Sequence, residues 1–209
     1  VVWWAPKRPS AWRRWGVHVF LFALTATSVY LTGGSRLVFG LMSILLAHEM
    51  GHYIACRIHR VDATLPFFLP APVVSFVGTL GAFIRIRSPI PHRRALFDIG
   101  IAGPIAGFLV AVPVLMVGMY LSKVVQVPPD YDGLVFELGE PLLFKASAWL
   151  TFGTVAEGYT VYMHPMAFAA RFGLLATALN LFPMGQLDGG PIALAGAGRR
   201  ATPSPAGAG

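Results

Sequence analysis

The chain has 209 residues, of which 56% are hydrophobic and 12% are charged, and its mean hydropathy is +0.65. Soluble domains carry about twice that charged fraction, so the composition excludes an ordinary soluble domain and indicates an integral membrane protein. The formal net charge is +7. An anionic membrane surface accounts for this charge, so we expect the lipid bilayer as a partner and no nucleic acid.

The N-terminal part of the chain predicts two membrane spans. Residues 1–35 are expected to form an anchor and a first transmembrane helix over 15–32, and a second span covers 36–57. A helix needs about 20 residues to cross the hydrocarbon core. Side chains typical of a membrane interface precede or begin the first span: Trp3, Trp4, Trp12, Arg13, Arg14 and Trp15.

A β-hairpin is predicted between the second and third spans, in residues 62–88. This stretch contains too many prolines for a spanning helix, but Val73–Val77 and Ala82–Ile86 are rich in residues that favour strands. Gly78 and Gly81 separate the two runs and predict a turn. Because the hairpin is apolar, we expect it to dip into the membrane interface or the protein interior.

The rest of the chain predicts two further spans, over 95–122 and 166–187. The connection 123–165 contains a candidate interfacial helix around Trp149, and the tail 193–209 is expected to be disordered. The predicted fold class is therefore an α-helical polytopic membrane protein with about four transmembrane helices and a membrane-associated β-hairpin.

The distribution of basic residues predicts the orientation. Twelve lysines and arginines fall in residues 1–14, the 57–94 stretch and the C-terminal tail, whereas four fall elsewhere, in Arg36, Lys123, Lys145 and Arg171. By the positive-inside rule, both termini and the hairpin lie on the cytoplasmic side. The connection 123–165 then faces outward.

The stretch HEMGH, residues 48–52, places three polar side chains inside the second span. His48 and His52 are one helical turn apart, so both imidazoles project from the same face and can bind one Zn2+. Glu49 lies beside them, where it can take a proton from a water at the metal. Burying these groups in hydrocarbon is costly unless they gain strong partners, which favours a functional site over a chance match.

A catalytic zinc has three protein ligands, so a third must come from elsewhere in the chain. His18, His59, His92 and His164 are less suitable by position, and Asp98 is expected to interact with a helix N-terminus instead. Asp188 follows the fourth span. The second and fourth spans run in the same direction, which places Asp188 at the depth of His48 and His52.

At these residues the sequence resembles the site-2 protease family of intramembrane zinc metalloproteases. The resemblance covers roughly 36–192 and rests on HEMGH, on FDIGIAGPIAG after the hairpin, and on NLFPMGQLDGG. It implies one Zn2+ per chain held by His48, His52 and Asp188, with Glu49 as the catalytic base and Asn180 assisting. Asn180 has a second interpretation, a hydrogen bond to a neighbouring helix.

The resemblance implies hydrolysis of peptide bonds within or near transmembrane segments of membrane proteins. With the predicted orientation, we expect the active site toward the cytoplasmic side of a bacterial inner membrane. Two alternatives remain open, a membrane metal transporter and a catalytically inactive homologue that binds membrane helices. Pro191 follows LDGG where relatives commonly have histidine, and the chain begins with Val1. We therefore expect a fragment or truncated product, with residues 36–192 as its metalloprotease core.

Overall fold

The computed structural model describes residues 11–126, 142–156, 158–181, 188, 190 and 192–193, with only the backbone for 11–14. The elements in chain order are α1 (Ala11–Ile58), β1 (Phe67–Pro70), β2 (Thr79–Phe83), α2 (Arg93–Tyr120), β3 (Lys123–Gln126), α3 (Leu142–Phe152), β4 (Tyr159–Tyr162) and α4 (Pro165–Asn180). The described part of the chain is thus mostly helical, with two small antiparallel sheets.

Helix α1 is broken at Gly33 and Gly34 and folds back on itself. Gly34 has φ of 73° and ψ of −175°, a conformation that glycine adopts readily and other residues rarely do. His18 in the first arm contacts the carbonyl of Pro66 at 3.0 Å, and Glu49 in the second arm contacts the backbone of Ile84. In a straight helix these two side chains would be about 46 Å apart. Because both contact the same hairpin, the two arms must lie antiparallel.

The break in α1 falls between the first two predicted spans. By length and composition, α1 over Trp15–Ile58 and α2 are the two candidate membrane-spanning helices among the described residues. Helix α4 has 16 residues, fewer than the roughly 20 that a full span needs. Residues 182–187, which complete the predicted fourth span, lie outside the described residues. The predicted membrane-protein class is supported, and the number of four spans stays a prediction.

The predicted hairpin exists, but its first strand was placed wrongly. β1 pairs with β2 antiparallel, with Phe67 opposite Phe83 and Phe68 opposite Ala82. Residues 73–77, predicted as a strand, instead lie in the connection between the strands, where Ser75 N–H donates to the carbonyl of Ala71 and closes a turn. β-branched residues favour strands only where a partner covers them. Here Val73 is 93% exposed and forms part of an apolar tip.

The second strand of the hairpin also differs from its predicted bounds. It runs from Thr79 to Phe83, three residues before the predicted Ala82–Ile86, and Ile86 pairs separately with Ala63. Gly78, just before β2, has φ of 80° and packs closely against the first arm of α1, whose Ser28 hydroxyl donates to its carbonyl. This contact fixes where the chain turns. A Cβ at position 78 would lie 2.7 Å from the carbonyl oxygen of Ser28, so a residue with a side chain could not approach α1 as closely.

A second small sheet was not predicted. β3 and β4 pair antiparallel from Lys123 opposite Tyr162 to Gln126 opposite Tyr159. The predicted short helix in the same connection is present as α3 and carries Trp149. The acidic part of this connection, and the predicted tail over 193–209 apart from its first residue, lie outside the described residues.

The second arm of α1 packs with α2 and α4 around a common core that includes Ile44, Leu115 and Ala170. Glycines allow these helices to approach closely, since a Cβ on Gly173 would lie 2.8 Å from Ile44. This three-helix core sets the relative positions of the HEMGH stretch and of the chain that follows α4.

Candidate metal centre

His48, Glu49 and His52 lie on the second arm of α1 and are nearly inaccessible, with 4%, 5% and 6% of their surfaces exposed. The two histidines are one turn apart on the same face, as the sequence predicts. Their imidazole centroids are 4.9 Å apart, and the rings are inclined by 73°. Their Nε2 atoms lie 3.2 Å apart and point toward a common position.

Asp188 completes a cluster of three donor atoms. Its Oδ2 lies 3.2 Å from Nε2 of His48 and 3.0 Å from Nε2 of His52. In the part of the chain that the structure describes, these three residues form the one group of histidine, cysteine and acidic side chains able to hold a metal ion. Residues 140 positions apart in sequence thus meet at one point, because α1, α2 and α4 pack together.

The donor set fits zinc. Ligands at about 2.0–2.1 Å in a tetrahedral site are about 3.3 Å from one another. The three distances observed here, 3.0 to 3.2 Å, are close to that value. Two imidazoles and one carboxylate leave the fourth tetrahedral position open, as a catalytic site requires.

The carbonyl of Ile99 in α2 fixes the orientation of His52. It accepts a hydrogen bond from Nδ1 of that imidazole at 2.7 Å. A proton on Nδ1 leaves the Nε2 lone pair free to bind a metal, the arrangement in which zinc-binding histidines are usually held. The backbone of α2 is therefore part of the centre.

Two further groups surround the three donors. The Asn180 side chain, at the end of α4, places Nδ2 3.2 Å from Nε2 of His48. The backbone N–H of Ile84, just after β2, lies beside the Glu49 carboxylate. The hairpin thus contacts the predicted catalytic base directly.

A cavity of about 420 Å3 opens onto these groups. One wall is polar and the rest is apolar, formed by the hairpin and by the first turns of α2. Its lining includes His48, Glu49, His52, Asn180 and Asp188, together with Ala82, Phe83, Ile84, Ile86, Leu96 and Ile99. An extended peptide next to β2 would therefore pass the donor cluster.

The remaining histidines have other contacts. His92 and His164 cap α2 and α4, and His18 contacts the hairpin. Burial, together with nearby Arg36, holds the pKa of His164 below its usual value, which suits its role as a hydrogen-bond acceptor.

Asp98 differs from the expectation that it would interact with a helix N-terminus. It lies in the second turn of α2, where its Oδ2 is 3.0 Å from Nε2 of His59 and 3.9 Å from Nε of Arg94. This pair connects the end of α1 to α2 on the side predicted to be cytoplasmic. Neither residue belongs to the donor cluster.

The geometry defines a class of protein, the zinc metalloproteases that use an H-E-x-x-H helix with a distant third ligand. The comparisons agree with this class. A family model described as peptidase family M50 matches residues 36–207, so the chain belongs to peptidase family M50, the site-2 protease family that its motifs resemble. The predicted family and the predicted zinc cofactor are confirmed at this level.

Three curated relatives show the extent of the similarity. The chain is 35% identical over 161 residues to "Probable zinc metalloprotease EGY1, chloroplastic" of Arabidopsis thaliana. The aligned region covers 74% of this chain and 28% of the relative. The EGY1 protein of Oryza sativa subsp. japonica is 35% identical over 73% of this chain and 26% of its own length. The Arabidopsis EGY2 protein is 31% identical over 75% of this chain and 28% of its own length. The chain spans about a quarter of each relative, and no solved structure matches it.

Sequence reasoning missed the backbone groups of the site. The Ile99 carbonyl and the Ile84 amide contact His52 and Glu49, yet neither side chain type indicates this. The signal for Ile99 is its position, since it precedes the glycines of GIAGPIAG, which bring the backbone of α2 close to α1.

Proposed function

We propose that the chain is an intramembrane zinc metalloprotease, which hydrolyses peptide bonds within or near transmembrane segments of other membrane proteins. The observation that carries this proposal is the position of the donor cluster. His48, Glu49 and His52 are buried side chains within a helix that is a candidate membrane span. Polar groups at such positions are costly and mark functional sites.

His48, His52 and Asp188 would hold the ion through the three converging donor atoms. Zinc bound there supplies Lewis acidity, which polarises the scissile carbonyl and makes water a better nucleophile. The Glu49 carboxylate takes a proton from the attacking water and returns it to the nitrogen of the leaving amine. Asn180 has two roles to distinguish, a hydrogen bond to the substrate carbonyl and a contact that only orients His48.

The hairpin supports a way of presenting the substrate. A peptide bond inside a helix is shielded, so the substrate must unwind before hydrolysis. The carbonyl of Arg85 accepts a hydrogen bond from Thr64, within the hairpin, whereas the N–H of Ile84 points the other way, to Glu49. Because backbone groups alternate along a strand, Ala82 also directs its N–H and carbonyl away from β1 and forms the free edge. An unwound substrate can add to this edge as a further strand, with its scissile bond beside the donor cluster.

The proposed setting is a lipid bilayer, crossed by four helices that include the two arms of α1. The twelve basic residues on one side support a cytoplasmic position for the hairpin and the zinc site. A bacterial inner membrane is the proposed location. The printed names of the plant relatives place those proteins in chloroplasts.

Separate variants of base and ligands test the proposal. Purified Glu49→Gln should retain about one zinc per chain and lose cleavage of a model membrane substrate, because the base is not a ligand. His48→Ala and Asp188→Ala should lose both metal and cleavage. Cleavage by Glu49→Gln at the wild-type rate would refute the mechanism, and equal zinc content in Asp188→Ala would remove Asp188 from the site.

The two alternatives have less support. A transporter requires a polar path on both sides of the metal. In the outer half of the second arm of α1, the polar side chain available for such a path is Ser43, and its hydroxyl donates to the carbonyl of Gly40 in its own helix. An inactive homologue would not need a base, and Glu49 is present beside the ligands. Metal uptake into vesicles by wild type, without peptide cleavage, would favour the transporter.

A further inference from the structure

Two glycines of α2 face the zinc-ligand histidines. A Cβ added to Gly103 would overlap the imidazole of His52, and its three nearest atoms all belong to that ring. A Cβ on Gly107, one turn along α2, would lie 3.2 Å from both Cβ and Nδ1 of His48. The rings of both predicted ligands therefore pack against the bare backbone of α2.

Other glycines of the core have a different environment. A Cβ on Gly118, also in α2, would overlap the backbone of Ala167 in α4, and one on Gly51 would overlap the carbonyl of Ala102. Those glycines allow two helix backbones to approach. Gly103 differs from them, because it makes room for one functional side chain.

The ring of His52 has no freedom to yield to a side chain at position 103. Its Nδ1 donates to the carbonyl of Ile99 at 2.7 Å, and its Nε2 lies 3.0 Å from Oδ2 of Asp188. Ile99 and Gly103 are four residues apart, so they lie on the same face of α2. A Cβ at position 103 would force the ring away from one or both partners.

We propose that Gly103 is a positioning residue for the zinc site: its missing side chain lets the His52 imidazole lie against α2, with Nδ1 on the Ile99 carbonyl and Nε2 directed at the metal. The proposal rests on the proposed function, because it takes His52 as a zinc ligand. It assigns to the glycine-rich stretch of α2 a role in metal geometry, beyond helix packing.

The test compares Gly103→Ala with Gly118→Ala in the full chain. Both changes add one methyl group at a tightly packed position of α2, but only the first faces a ligand. Zinc affinity is measured by competition with a chelator, ligand geometry by the visible absorption of the Co2+-loaded protein, and folding by the melting temperature of the metal-free protein.

Gly103→Ala should bind zinc about 10–100-fold more weakly, the usual effect of disturbing a group that orients a metal ligand. Its Co2+ bands should also shift or weaken. Gly118→Ala should lower the melting temperature and leave the zinc affinity and Co2+ spectrum of the folded protein unchanged. Wild-type affinity and spectrum in Gly103→Ala, or an equal loss of affinity in Gly118→Ala, would overturn the proposal.

If Gly103→Ala does not fold, Gly107→Ala tests the role assigned to the glycine-rich stretch in metal geometry, at His48 instead of His52. Its added Cβ needs a shift of only a few tenths of an ångström at His48, so a smaller loss of affinity is expected, and unchanged affinity and spectrum would count against the proposal. Failure of wild type itself to bind zinc would refute the proposed function together with this inference. Normal binding by wild type and by the position-103 and position-107 variants would refute the inference alone.

Discussion

The fold-back of α1 predicts an unusual sign for a glycine substitution. In a continuous helix, Gly→Ala stabilises by up to about 1 kcal/mol, because alanine has the higher helix propensity. At Gly34 the φ of 73° and ψ of −175° lie outside the regions that alanine adopts readily. A residue held in such a conformation costs about 1–3 kcal/mol.

The surroundings of Gly34 make the estimate simple. Apart from its chain neighbours and the nearby backbone of its own helix, no atom of the described residues lies within 4 Å of a Cβ added there, so backbone strain determines the result. We expect Gly34→Ala to lower the free energy of unfolding by about 1–3 kcal/mol. Gly16, in the first arm of α1, is the matched control, because it also has open space around it and its φ lies outside the left-handed region. Gly16→Ala should leave stability unchanged or raise it by up to about 1 kcal/mol.

Reversible unfolding in mixed detergent micelles, followed by circular dichroism, measures both variants against wild type. A continuous α1 and an α1 broken at Gly34 predict opposite signs for the change in the free energy of unfolding caused by Gly34→Ala. The test therefore does not depend on the accuracy of either magnitude. Stabilisation by Gly34→Ala equal to that by Gly16→Ala would show that α1 is continuous there, and the antiparallel arrangement of its arms would be refuted.

Three further predictions follow from the site and its setting. Removing zinc with a chelator should lower the melting temperature of wild type but not of His48→Ala, and an equal decrease in both would mean that the ion stabilises the fold elsewhere. Ala82→Pro should slow cleavage with zinc content unchanged, because it removes the N–H at the free edge of the hairpin; unimpaired cleavage would leave the hairpin a structural role only. A cysteine introduced near Arg93 should be protected from an impermeant reagent added outside intact cells, whereas one near Asp132 should react, and the reverse pattern would overturn the predicted orientation.

The parts of the site that sequence could indicate are those in which residue type and spacing determine the chemistry. His48 and His52 share a helix face because of their spacing, and Asp188 was placed beside them by the direction of two predicted spans. The structure brings the three together at 3.0 to 3.2 Å. Their role as ligands stays a prediction until metal binding by the variants is measured.

The hairpin shows why strand positions were harder to predict. Residues 73–77 have high strand propensity, yet they form the exposed tip of the hairpin. Strand propensity reflects packing against a neighbouring strand, and these residues have no such neighbour among the described residues. The sheet of β3 and β4 was missed for a related reason. Both strands have four residues and little alternation of burial, so their sequences carry almost no periodic signal.

The backbone partners of the site could not be predicted from residue types. They also explain how the polar side chains of His52 and Glu49 can be buried. An imidazole and a carboxylate within a membrane helix need partners that neither lipid nor an apolar side chain can supply. The chain supplies them from two backbones, the Ile99 carbonyl for His52 and the Ile84 amide for Glu49. Both partners require close approach, which the glycines of α2 allow in the first case and the position of Ile84 just after β2 allows in the second. In the proposed hydrolytic site, the glycine-rich stretch and the hairpin therefore each bring a backbone partner to a polar group that the chemistry needs.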